Sequence, residues 1–81
     1  MFYVCILYSP SLSKYYVGST VHVDIRIDQH NKGQSSFTKK GIPWNLIHTI
    51  ECDSRTTAVQ LEIKIKKRGI QRFLDDEKIN N

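Results

Sequence analysis

The stretch that most constrains this chain lies at its start. "FYVCILYS", residues 2–9, is an apolar run rich in β-branched and aromatic side chains, and Pro10, Ser11 and Ser13 close it with turn-forming chemistry. It reads as a strand entering a turn. "KYYVGS", residues 14–19, then returns as a second strand, the antiparallel hairpin partner of the first. Two adjacent tyrosines stand before a glycine there. Packing needs only their rings, whereas chemistry would need their hydroxyls.

From Thr20, a candidate N-cap, to Asn31 the pattern turns helical, with Val23, Ile27 and His30 on one face, Asp24 in the first turn and Gly33 as a stop. Val21 and Ile25 project to the other side, which leaves that helix either covered twice or exposing an apolar spot. "KGQSSFTKKGIP" is a polar loop that delivers the chain to Trp44, and Asn45 to Cys52 alternates as a third strand. Asp53 or Ser54 caps the next helix, in which Ala58, Leu61 and Ile65 recur at helical spacing until Gly69 ends it. A last helix, Ile70 to about Ile79, carries Ile70, Phe73 and Leu74 as its stripe. The order is ββαβαα, an α+β domain with a minimal three-stranded antiparallel sheet flanked by helices.

With 81 residues the chain makes one small domain, 1–81, with a modest core and no room for a second. Twelve Lys and Arg against eight Asp and Glu give a formal charge of +4, which favours polyanionic partners without naming one. Cys5 and Cys52 are the only cysteines, far apart and without C-x-x-C spacing. Neither a zinc site nor a disulfide framework is indicated, and a reduced cytoplasmic protein is the simpler reading. The Phe2 to Tyr8 run lacks a basic flank and is too short for a signal core or a membrane span.

Side-chain directions bring out the chemistry. At about 100° per residue, Arg26 and His30 are i, i+4 neighbours flanking Val23 and Ile27, so both are expected along the face that meets the sheet. Glu62 falls beside the Ala58, Leu61 and Ile65 stripe, where a carboxylate needs a partner. Each has an ordinary role when taken singly: a core-edge phenol for Tyr16, a helix-dipole partner for His30. Arg26 could pair with Asp24, Asp28 or Glu62, and Glu62 with Lys66. Taken together, hydroxyl, guanidinium, imidazole and carboxylate form the set that phosphodiester hydrolysis requires.

Over nearly its whole length the chain resembles the GIY-YIG nuclease superfamily, and its small single-domain bacterial members in particular. "YYVGST" is similar to the YIG element, Arg26 and His30 in "RIDQHNKG" match the following helix motif, and "GIPWNLI" is similar to the approach to the third strand. Glu62 in "AVQLEIKIKK" matches the family's metal-binding glutamate. The resemblance implies a three-stranded sheet flanked by helices and a metal-dependent DNA endonuclease. In it, Tyr16 positions the attacking water or moves its proton, Arg26 holds the phosphate, and His30 is a hydrogen-bonding partner or proton shuttle. Glu62 would hold one Mg²⁺ or Mn²⁺ that assists the leaving oxygen.

One departure matters. In the family's register the tyrosine of the first motif falls at Cys5, a thiol. Tyr3, two residues earlier on the same strand face, starts about 7 Å away and is the candidate replacement. A general base contributes roughly 10² to 10⁴ in rate, so its loss points to an attenuated nuclease or, as the alternative, a nucleic-acid-binding module without turnover. Lys39, Lys40, Lys64, Lys66, Lys67 and Arg68 are the candidate backbone contacts, with DNA the expected partner.

Overall fold

A computed structural model of the chain describes residues 1–33 and 39–79. Strands β1 (Phe2–Ser9), β2 (Lys14–Thr20) and β3 (Asn45–Cys52) and helices α1 (Val23–Asn31), α2 (Arg55–Arg68) and α3 (Ile70–Ile79) follow the expected ββαβαα order. The three strands form one antiparallel sheet in the order β2-β1-β3. Residues 34–38 of the expected polar loop lie outside the described residues; after them Lys39–Gly41 makes one 3-10 turn.

The hairpin closes through Ser9. Its hydroxyl accepts the Leu12 N–H at 3.2 Å and pairs with the Ser11 hydroxyl at 3.1 Å, which satisfies a fully buried side chain. In the resulting register Cys5 stands opposite Gly18, and Leu7 opposite Tyr16. On the other side of β1, a register shift between Ile6 and Leu7 leaves Ile47 as the extra residue of β3.

Because side chains alternate along a strand, β1 feeds two different surfaces. Val4, Ile6 and Val17 meet Cys52, Ala58, Ile65 and Leu74 in the hydrophobic core, so α2 and α3 cover that face. The two adjacent tyrosines separate in the same way: Tyr15 packs at this core and donates its hydroxyl to Gln71 of α3 at 2.8 Å, while Tyr16 faces the opposite side. Cys52 belongs to the core face and Cys5 to the other, so the two buried thiols have the sheet between them.

Helix α2 starts where Ser54, rather than Asp53, caps it by accepting the Thr57 N–H at 3.1 Å. It stops at Gly69, whose φ of +95° suits glycine and turns the chain into α3. Helix α1 departs from expectation at its start. Thr20 is not its cap: it remains in β2, paired with Tyr3, and its hydroxyl oxygen accepts the His22 N–H at 3.1 Å. That bond spends the Thr20 hydroxyl on the turn, and the helix begins only at Val23. Val21 and Ile25 form the exposed apolar spot, at 45% and 55% exposure.

Candidate active site

The α1 side of the sheet holds the site. Cys5, Leu7, Tyr16, Gly18 and Thr20 from the strands, and Arg26, Ile27 and His30 from α1, line one pocket. Strand alternation explains the first five, since odd residues of β1 and even residues of β2 share that face. Helical spacing explains the last three, with Arg26 and His30 one turn apart and Ile27 between them. Three of the four residues expected to converge, Tyr16, Arg26 and His30, therefore do so, with Cys5 beside them.

Glycine makes the arrangement fit. The Tyr16 ring lies along β2 over Gly18, where an added Cβ would come 3.2 Å from Tyr16 Cε1 and 3.4 Å from its hydroxyl. The ring also has two aromatic neighbours. His30 meets it edge-on at a centroid distance of 4.9 Å and 61°, and Trp44 at 6.0 Å and 63°, the tilted geometries that aromatic quadrupoles favour.

Charges in the pocket are unevenly distributed. His30 is buried, and burial pushes its imidazole below the ordinary value of 6.5, with the Arg26 charge adding to the shift. It is therefore neutral at neutral pH, able to donate from one nitrogen and accept at the other. Burial pushes the Cys5 thiol up, against a smaller opposing effect of Arg26. Cys5 consequently stays protonated and cannot serve as a base there. Arg26 itself is exposed, its charge available at the mouth of the pocket.

Two sequence candidates sit elsewhere. Tyr3 lines a neighbouring open groove with Val21, His22, Val23, Asp24 and Ile25, not the pocket around Tyr16. Glu62 is half-buried on α2, the helix packed on the other face of the sheet, and is not among the side chains lining the pocket; its ion pair with Lys66 is long, 3.9 Å. Among the described residues no group of three His, Cys, Asp or Glu could hold a metal ion. Of the basic candidates, Lys39 and Lys40 lie on the 3-10 turn beside the end of α1, while Lys64, Lys66, Lys67 and Arg68 project from α2. Arg68 is engaged by Asp76 through two hydrogen bonds of 3.0 and 3.2 Å.

Sequence reasoning missed Asn31. Its side-chain amide donates to the Trp44 carbonyl at 3.1 Å and accepts the Trp44 N–H at 2.6 Å, tying the end of α1 to the start of β3. A helix-terminal Asn reads locally as a stop signal, and nothing local points thirteen residues ahead.

The fold and pocket define a small basic α+β domain with a phenol, a guanidinium and a neutral imidazole gathered on one sheet face. The GIY-YIG catalytic domain model matches residues 1–72. UPF0213 proteins of Natronomonas pharaonis and Halobacterium salinarum are similar, 36% identical over 66 residues (76% of this chain, 78% of that one) and 37% over 54 (65% and 70%). The solution NMR structure of a UPF0213 protein from Bacillus halodurans has the same fold, with a TM-score of 0.53 and 28% identity over 99% of this chain and 84% of that one. The chain belongs to the GIY-YIG family, a nuclease-type family that in general binds nucleic acid and uses divalent metal ions. No described helix is long and apolar enough to cross a membrane.

Proposed function

We propose that the chain is a metal-dependent DNA endonuclease of the cytoplasm that hydrolyses phosphodiester bonds. The observation that supports this best is the meeting of Tyr16, Arg26 and His30 at one pocket over Gly18. Arg26 binds the scissile phosphate at the pocket mouth and offsets charge that develops on it. Tyr16 orients the attacking water, and the neutral His30 behind it supplies a proton acceptor within the aromatic cluster.

Metal dependence rests on the family, which in general uses divalent ions. Glu62, the carboxylate that the family resemblance assigns to Mg²⁺ or Mn²⁺, lies on α2 across the sheet from the pocket, and the pocket's own lining has no carboxylate to hold a hard cation. The residues gathered at Tyr16 therefore do not fit the ion, and no step is routed through it.

The second reading is a nucleic-acid-binding module without turnover, and the protonated Cys5 in place of a phenol favours it. Cleavage of labelled duplex, branched and single-stranded DNA with and without Mg²⁺ decides between them. Magnesium-dependent cleavage that Arg26→Ala removes is the expected result. Salt-sensitive binding with no cleavage of any substrate would leave the binding module.

A further inference from the structure

We infer that Asn31 and Trp44 are positioning residues for Tyr16, and that the Asn31 amide sets the phenol's angle through the Trp44 indole. The inference rests on the catalytic reading of Tyr16. Tyr16 packs against Gly18, His30 and Trp44, so three neighbours restrain its ring. Two of those supports belong to one device. His30 and Asn31 are consecutive at the end of α1, and Asn31 grips both backbone polar groups of Trp44 at 2.6 and 3.1 Å.

Trp44 is in turn seated on Gly41, where any added Cβ would overlap the indole ring. The indole is 5% exposed, so it acts as packing and offers no surface for a base. Helix α1 otherwise contributes a single fully buried side chain, His30, and its Val23 and Ile27 are only half-buried. Apolar packing alone therefore gives α1 little hold on the sheet. The amide clip supplies a directional one, because two hydrogen bonds of opposite sense fix distance and orientation together. Arg26, one turn earlier on the same helix, takes its place relative to Tyr16 from the same anchor.

The test uses the whole chain with Asn31→Ala, Asn31→Asp and Trp44→Phe. Asn31→Asp keeps the acceptor for the Trp44 N–H and loses the donor; Trp44→Phe keeps the backbone clip and an aromatic edge. Trp44 is the sole tryptophan, so its emission reports the seat of the indole directly. Asn31→Ala is expected to red-shift that emission, to move the Tyr16 ring-proton resonances, and to lower kcat for Mg²⁺-dependent DNA cleavage about 10- to 100-fold with KM within about twofold. Asn31→Asp and Trp44→Phe should recover part of the rate.

Unchanged Tyr16 resonances and kcat in a folded Asn31→Ala would overturn the inference. So would a kcat loss that merely follows a lowered thermal midpoint and that neither conservative variant recovers. If the wild type cleaves nothing, the catalytic reading fails by itself. The resonances of Tyr16 then still decide whether the clip holds the ring, and an unmoved ring would refute it.

Discussion

His30 stands edge-on to Tyr16 with its imidazole 1% exposed, so the phenol's closest aromatic neighbour is a titratable group held out of water. Sequence spacing brings His30 to the sheet face, but burial is what makes it neutral. A charged imidazole there would lose its hydration and face Arg26 as a like charge.

A pH dependence follows. The folded pKa of His30 lies below the ordinary 6.5, so on acidification the unfolded chain takes up a proton that the folded chain refuses. The stability linked to neutral His30 is fully present above about pH 6.5 and declines as pH falls from there through the folded value. Thermal midpoints should drop between about pH 7 and about pH 5, and the drop should be smaller in His30→Gln. An equal drop in both proteins would assign the acid sensitivity to carboxylates.

The thiol at Cys5 gives a second prediction. Cys5→Tyr would restore a phenol opposite Gly18, but the pocket's void is only about 10 Å³, so the new ring must displace its neighbours. A destabilisation of about 1 to 3 kcal/mol is expected, read as a lower urea midpoint, together with faster Mg²⁺-dependent cleavage per folded molecule. Tyr3→Phe should leave the rate within about twofold, because Tyr3 lines the outer groove. A larger loss in Tyr3→Phe would show that its hydroxyl reaches the chemistry after all.

Most of the architecture was legible because the strongest signals are local. The "FYVCILYS" run, the serine-rich turn, Ser54 and Gly69 each act within a few residues, and the elements they bound appear where the periodicity predicts. The start of α1 was not legible at Thr20, since a hydroxyl before a helical pattern serves a cap or a turn equally well. Helical period was enough to turn Arg26 and His30 toward the sheet, whereas Tyr16 was singled out by its place before Gly18 and by the family motif, and the same facing argument put Glu62 in a cleft from which α2 holds it away. The Asn31 clip and the neutral state of His30 depend on the third dimension, and no spacing encodes them.

Glu62 carries the third prediction. Glu62→Gln preserves shape and removes the charge that a cation needs; because Glu62 lies on α2, across the sheet from the pocket, the change should leave Mg²⁺-dependent cleavage within about twofold and the circular dichroism spectrum unchanged. Its pairing with Lys66 is long and partly exposed, so little stability should go with it. A loss of about 10²-fold in Glu62→Gln would bring this carboxylate, and the cation the family resemblance assigns to it, into the reaction.

The last prediction separates the two basic groups by the face of the sheet on which they lie. Lys39 and Lys40 are exposed on the turn that packs beside α1 and Trp44, the face that carries the pocket. Lys64 and Lys67 are exposed on α2, over the opposite face, while Arg68 is already bound to Asp76 and Lys66 lies near Glu62. A backbone that threads past Arg26 would meet the first pair and miss the second. Each phosphate neutralised releases counterions, so the slope of log affinity against log salt should flatten by about 2 in Lys39→Ala/Lys40→Ala. It should change by less than about 0.5 in Lys64→Ala/Lys67→Ala under the same conditions. The reverse ranking, measured by fluorescence anisotropy with labelled duplex DNA across a salt series, would move the nucleic-acid path to the α2 side and away from the Tyr16 pocket.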